Sequence, residues 1–345
     1  MEKSNLSSVK KESIRAIFNA VSSKEQITRS EIAAKTGLSL MTVGKVVDAL
    51  IEREIFCQAK EIRPSSGRRA GLISLSAPNF FLIIDLSSHN FVLSAIDIGF
   101  RVIDRMMYEY NSDFYFEENL YIFLKNVNIY LRRRFDRNLC SGVGVSLPGA
   151  YNSADDRVNS ARLPEINTVN IRESIHSVLN LPICLLEQDI KLAATSNITL
   201  VPDYQKKVIS YLYIGESIDA ATISQGQLLY GANFLAGQIC ALPMGSGTTV
   251  GKIIEESQNQ EDIADVLVYI IRVLCCVIDP HEIIIECDRY KLSNGYLDML
   301  TEQLSGHACF TNRSMPKISL NQGSIKHAHR GLVMKLRDMW VDSLN

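Results

Sequence analysis

Between Lys10 and Val21 the apolar residues Ile14, Ile17, Phe18 and Val21 recur at three- and four-residue spacing, which places them on one face of a helix. Thr28-Arg29-Ser30-Glu31 then fits a capping box: the Thr28 hydroxyl accepts from the Glu31 amide and the Glu31 carboxylate reaches back to the Thr28 amide. Ile32 and Ala33 follow as packing residues, and Gly37 supplies the left-handed residue that closes a helix. Ser39 suits the N-cap of a third helix running to about Glu52. On it Val43, Val47 and Leu50 face inward, which assigns Met41, Thr42, Lys45 and Ala49 to the opposite face. Two apolar strands follow, Ile55 to Ala59 and Ala70 to Leu75, around the turn Pro64-Ser65-Ser66-Gly67-Arg68-Arg69. Two short helices joined by a glycine turn, then a hairpin with a basic tip, predict a winged helix-turn-helix.

From residue 79 onward strand-like and helix-like stretches alternate. Phe80 to Leu86 reads as a buried strand with Phe91 to Ile98 as its hairpin partner, and Gly142 to Gly149 as a strand ending in a turn. Ile183 to Leu186, Val208 to Ile214, Ala220 to Ser224 and Ile283 to Ile285 complete the strands. Helices are expected near 117–134, 170–179, 190–197, 261–278, 293–304 and 325–340. The class is α/β with mixed sheets.

A length of 345 residues implies two or three domains. With 46% hydrophobic and 21% charged residues, wholesale disorder is excluded. The longest apolar run, Val266 to Ile278, is interrupted by Arg272 and falls short of the ~18 residues of a membrane span. The first residues lack the apolar core of a secretory signal, so a cytoplasmic protein is expected. Eight scattered cysteines with no CxxC pair argue against a disulfide framework or a zinc ribbon and for reduced thiols.

The net charge of -2 hides an asymmetry: residues 1–80 carry 13 Lys+Arg against 8 Asp+Glu, and the remainder 23 against 30. A basic head on an acidic body fits a small nucleic-acid module. Its third helix is expected in the major groove, with Ser39, Leu40, Met41, Thr42 and Lys45 near base edges and Arg29 beside them. Lys45 has the reach for guanine O6/N7 or a phosphate, and Thr42 and Met41 suit a thymine methyl. Arg68 and Arg69 on the wing suit phosphate or minor-groove contact. Gly44 costs about 1 kcal/mol against Ala inside a helix. Close helix packing and close approach to DNA both account for it.

ITRSEIAAKTGLSLMTVGKVVDALIEREIF, SSGRRAGLISL, GVGVSLPGAYN, LPICLLEQDIKLAA, YGANFLAGQI and DPHEIIIE occur in the order found in transcription factors of the ROK family (repressors, open reading frames and sugar kinases), and the chain resembles that family over nearly its whole length. The resemblance implies a winged helix-turn-helix over residues 1–78 and an actin-like (ribonuclease H-like) two-lobed body over 79–345. Lobe one would cover about 79–190 plus the C-terminal helix, and lobe two about 191–324. It further implies a homodimer or homotetramer, a double-stranded DNA operator near sugar-metabolism genes, and a sugar or sugar-phosphate effector.

The same resemblance tests for catalysis. The family's first phosphate loop, Asp-x-Gly-Gly-Thr, is Asp85-Leu86-Ser87-Ser88-His89 here, without either glycine. The second is Gly215-Glu216-Ser217-Ile218-Asp219-Ala220-Ala221, whose carboxylates repel ATP. The late Gly-Gly is replaced by Glu286-Cys287-Asp288. The family's zinc histidine is Ala241, the following cysteine-rich loop is missing, and His327 and His329 read as surface or packing residues. No catalytic residue, cofactor or metal is expected. Asp189, the general base of a kinase of this family, reads as a ligand group or a structural remnant.

Arg162, Gln188, Asp189, Asn233 and Gln238 fall at the family's sugar-contact positions, and only Asp189 and Asn233 match its residue types. They retain donors and acceptors for a polyol, and Arg162 suits an anionic sugar. The alternative is that Arg162 pairs with Asp189 and the cleft binds no sugar. A repressor with a dead kinase-like body leads; a sugar kinase with an added head, or a body that only oligomerises, are the other readings.

Overall fold

The structure, a computed structural model, describes residues 11–22, 26–60, 71–76, 78–181, 184–245, 247–305, 315–321 and 326–344. The head comprises α1 (Lys11–Ser22), β1 (Ile27–Thr28), α2 (Arg29–Thr36), α3 (Leu40–Glu52), β2 (Phe56–Lys60) and β3 (Gly71–Leu75), with strand order β1-β3-β2. Both halves of the capping box form: the Glu31 amide donates to Thr28 Oγ1 at 3.2 Å and the Thr28 amide to Glu31 Oε2 at 2.9 Å. Gly37 closes α2 at φ +70°, where a side chain would be strained. The Thr42 amide donates to Ser39 Oγ at 3.1 Å, which starts α3. Ala49 is a correction: it is buried together with Val46. Helix α3 is covered by α1 and α2 on one side and by β2 on another, so its buried arc is wider than a single stripe.

The body repeats one topology twice. Its first sheet runs β10-β7-β4-β5-β6, from β4 (Phe80–Asp85), β5 (Phe91–Asp97), β6 (Val102–Tyr108), β7 (Cys140–Leu147) and β10 (Cys184–Gln188). Its second runs β15-β14-β11-β12-β13, from β11 (Val208–Ile214), β12 (Ile218–Ser224), β13 (Gln227–Leu228), β14 (Glu282–Cys287) and β15 (Lys317–Asn321). In each, an antiparallel meander of three strands is extended from its first strand by two parallel ones. Two such sheets in one chain make an actin-like, two-lobed body. A short hairpin, β8 (Ala150–Asn152) with β9 (Arg157–Asn159), projects beyond β7. The pattern of apolar positions does not mark β1, β6, β13, β15 or this hairpin.

Strand alternation assigns the faces. Phe80, Leu82 and Ile84 point toward α4 (Phe116–Arg134) and α5 (Ile171–Leu179). Phe81, Ile83 and Ile96 point the other way, to α10 (Lys326–Ser343). In the second sheet Leu212, Ile214, Ile283 and Ile285 pack on α7 (Val250–Glu256), α8 (Ala264–Val277) and α9 (Asn294–Ser305). Its other face, with Ile209, Tyr211 and Ile284, packs on α6 (Asp189–Ile198). Helices α6 and α10 cross so closely that a Cβ on Gly331 would stand 2.0 Å from the Leu192 carbonyl oxygen.

Helix α10 also carries the head. Its residues Leu332, Val333, Leu336, Trp340 and Val341 share one apolar core with Ile14, Phe18 and Val21 of α1. Arg15 donates to both carboxylate oxygens of Asp342 (3.2 and 2.5 Å), and Arg337 donates to Asn19. Among the described residues no helix is long and apolar enough to cross a membrane.

Candidate DNA-contact face and interlobe cleft

The start of α3 stands open to solvent. Leu40 is 59% and Met41 73% exposed, Ser39 and Lys45 are exposed, and Thr42 is half-buried with its hydroxyl 2.9 Å from that of Ser39. A Cβ built on Gly44 meets nothing within 4 Å. Helix packing therefore does not account for the glycine, and the face it leaves flat is the one that bears Met41 and Lys45. Arg29, expected beside the DNA, donates to Asp48 of α3 at 2.6 Å and pairs with that acid on the C-terminal half of the helix. Arg68 and Arg69 lie outside the described residues.

Between the lobes, Arg162 donates to Asp189, joining the segment after β9 to the first residue of α6. Arg162 is held in place by the turn around it: the Leu163 amide donates to Ser160 Oγ at 3.0 Å and the Ser160 amide to Asn167 Oδ1 at 2.8 Å. Burial works against the Arg162 guanidinium, but the Asp189 carboxylate outweighs it and the guanidinium stays firmly charged. Asp219 on β12 completes the group. Burial, and then the charge of Asp189, push its carboxyl up to about 7 against the pull of Arg162, Cys240 and Lys191. The pairing weighed against a sugar site from the sequence is thus formed here, and it covers the acid that a kinase would use as base.

The other proposed ligand residues are not all gathered with this pair. Gln188 is buried beside Asp189. Asn233 is exposed and lines a separate cavity of about 400 Å³ with Asn152, Asn159 and Asn167. Gln238 is half-buried, with its backbone N–H donating to the Leu235 carbonyl at 3.2 Å.

Sequence reasoning missed a second clasp. Tyr230 of lobe two and Lys335 of α10 both donate to Glu187 Oε2, at 2.6 and 2.7 Å, and Lys335 donates to the Tyr230 hydroxyl at 2.9 Å. Lys191, only 1% exposed, donates to the Phe234 carbonyl at 2.9 Å with its ammonium 5.1 Å from the Tyr230 ring centroid. Burial lowers the Lys191 pKa. Nothing in the helix Asp189 to Ile198, which mixes polar and apolar residues and is buried almost throughout, marks Lys191 for this role in the sequence.

The segments that would cradle phosphate are occupied by the protein's own contacts. Asp85 accepts from the Ser87 amide at 3.0 Å and hydroxyl at 2.5 Å, and bonds His329 Nε2 at 2.8 Å. Burial alone would raise the Asp85 carboxyl; the hydrogen bond and charge of His329 and the Ser87 donors outweigh it and hold it low. His329 is thus a packing residue that ties α10 to the end of β4. The His327 side chain lies outside the described residues. Glu286 accepts from Tyr211 (2.5 Å) and Asn321 (2.7 Å) inside lobe two, and Asp288 accepts from Tyr213 (3.0 Å). Among the described residues no cluster of three or more His, Cys, Asp or Glu side chains is arranged to hold a metal ion.

The fold and the open helix define a winged-helix head on an actin-like body. No protein-family model matches the chain. The DNA-binding transcriptional dual regulator NagC of Escherichia coli K12 is 22% identical over 240 residues, and the N-acetylglucosamine repressor of Shigella flexneri gives the same figures. The match covers 68% of this chain and 58% of those relatives, so it spans less than two thirds of their length. Among solved structures, a ROK family transcriptional regulator, described as a homologue of the E. coli MLC protein, aligns with a TM-score of 0.66 at 14% identity over 96% of this chain and 98% of its own. A ROK family protein from Streptococcus pneumoniae in complex with sucrose aligns with a TM-score of 0.57 at 17% identity over 77% and 99%, and the ROK hexokinase of Thermus thermophilus with 0.54 at 12% over 74% and 97%. In sequence the chain is similar to NagC, and in fold it is similar to a ROK family transcriptional regulator.

Proposed function

We propose that this chain is a DNA-binding transcriptional repressor of carbohydrate-related genes whose kinase-like body is catalytically silent. Residues 1–78 serve as the DNA-binding domain. Residues 79–345 serve as an oligomerising body, lobe one being about 79–190 with the C-terminal helix and lobe two about 191–324. The protein works in the cytoplasm as a homodimer or homotetramer, without cofactor, on a pseudo-palindromic operator. Leu40, Met41, Thr42 and Lys45 meet base edges, Ser39 and Arg29 support them, and Arg68 and Arg69 reach the backbone. A sugar or sugar-phosphate effector enters at Arg162, Gln188 and Asp189, with Asn233 and Gln238 on the neighbouring loop, and shifts the lobes and thereby the heads.

The observation that carries this reading is the guanidinium of Arg162 on the carboxylate of Asp189. Burial raises the Asp189 carboxyl against the pull of Arg162, but both its oxygens are engaged, one by Arg162 and one by the Ile190 amide, so neither is open to a sugar hydroxyl, while the open face of α3 keeps its capacity for DNA. The names of the relatives, regulators and repressors, favour the same side. The kinase neighbours favour the other, and ATP turnover with a hexose that Asp189→Asn abolishes would establish it.

The test is genome-wide mapping of the tagged protein and of a Thr42→Ala/Lys45→Ala variant. Sharp peaks over an inverted repeat, lost in the variant, are expected. An absence of peaks under several carbon sources would overturn the proposal.

A further inference from the structure

A groove of about 1090 Å³ opens where four parts of the molecule meet: α1 of the head, the β5–β6 turn of lobe one, the β12–β13 edge of lobe two, and α10. Two arginines of α10 line it. Arg337 is 4% exposed and donates to Asn19 of the head and weakly to the Ile98 carbonyl. Arg330 is exposed. Both lie over the same ring: the guanidinium carbons of Arg330 and Arg337 are 5.2 and 4.5 Å from the Phe100 centroid. Among the described residues, neither has a carboxylate within ion-pair distance. Lys335, also on the wall, is already matched by Glu187. The acid of the lining is Asp338, which feels the charges of both Arg15 and Arg337 but makes no ion pair with Arg337.

A buried guanidinium whose hydrogen bonds go only to neutral acceptors is expensive unless an anion can bind it directly. Here burial depresses the Arg337 pKa to about 10, and Arg330 adds to that while Asp338 opposes it. Guanidinium groups match the oxygens of a phosphate through paired N–H donors. The rest of the wall suits hydroxyls: Gln205 and Gln227 supply amides and Tyr204 supplies a phenol. The volume exceeds what a hexose phosphate needs.

We propose that this groove is a second ligand site, for a small phosphate ester of a sugar or polyol, separate from the cleft at Arg162 and Asp189. Its occupant would neutralise Arg330 and Arg337 while touching the head, both lobes and α10 together. Binding there would stabilise the docked head, because any ligand taken only by the assembled form favours that form.

Calorimetric titration of the full-length chain with glucose 6-phosphate, glucose and inorganic phosphate tests this. Arg330→Gln and Gln227→Ala are the variants, both at exposed positions where folding is retained. Glucose 6-phosphate is expected to bind, at least tenfold more weakly in each variant, with Arg330→Gln leaving any glucose binding unchanged. Failure of glucose 6-phosphate to bind, binding untouched by both substitutions, or inorganic phosphate binding as tightly as the ester would overturn the proposal. None of these outcomes depends on whether α3 reads DNA.

Discussion

Trp340, near the end of α10, stands edge-on to Phe18 of the head with ring centroids 6.0 Å apart, and edge-on to Phe81 of the body at 6.4 Å. One indole thus bridges the recognition module and the first sheet. Truncating a buried tryptophan costs about 3–5 kcal/mol through lost contacts and the cavity left behind. Trp340→Ala is expected to lower the unfolding free energy by that order and to loosen the head before the lobes. Limited proteolysis should then release the head first. Because Trp340 is the single tryptophan of the chain, its emission in the native protein reports docking directly, and a red shift well below the main transition would mark an undocked head.

Gly44 offers the sharpest separation of stability from DNA contact. Its Cβ position is open, so Gly44→Ala should raise the stability of α3 by up to about 1 kcal/mol. If that flat face lies against base edges, the same methyl should weaken operator binding several-fold. Chemical denaturation and gel-shift titration of one variant give both numbers. Stabilisation with unchanged DNA affinity would move the contact face off Gly44.

The head was legible because its signals are local. A Thr-Arg-Ser-Glu cap, a left-handed Gly37 and a Ser39 cap each act within four residues, and each forms as expected. Ala49 was misread because one helical stripe was assumed where α3 is covered on two sides. The clasps of the body were not legible for the opposite reason. His329 meets Asp85 across 244 positions and Lys335 meets Glu187 across 148, and helical spacing around His329 carries no trace of either. Strand β6 escaped notice because it is a sheet edge: Val102, Ile103 and Met107 are exposed, which blurs the alternation that marks a half-buried strand.

Asp219 predicts a pH dependence. Its folded carboxyl is raised to about 7 from an ordinary value of 3.8. The folded state therefore holds a proton that the unfolded state releases earlier, and stability falls as pH rises between those values and levels off above the upper one. Asp219→Asn should flatten the curve of unfolding free energy between pH 5 and about 7.5 and make the protein more stable than wild type at pH 8. Unchanged slopes would show that another group carries the proton.

Arg162 and Asp189 permit the decisive experiment on the cleft. Removing one partner of a buried ion pair leaves an uncompensated charge and costs about 3–5 kcal/mol, whereas replacing both with apolar residues of similar volume is often neutral or stabilising. Arg162→Met and Asp189→Leu should each destabilise, and the double variant should recover most of the loss, as urea midpoints will show. The recovered protein then separates architecture from sensing. If the pair is only a structural strut, the double variant should bind its operator and release it on effector addition as wild type does. If effector enters by competing for these two groups, as proposed, operator binding should persist and release should fail. A stable double variant that still responds would move the effector site away from this pair, and the groove beside Arg330 would be the place to look next.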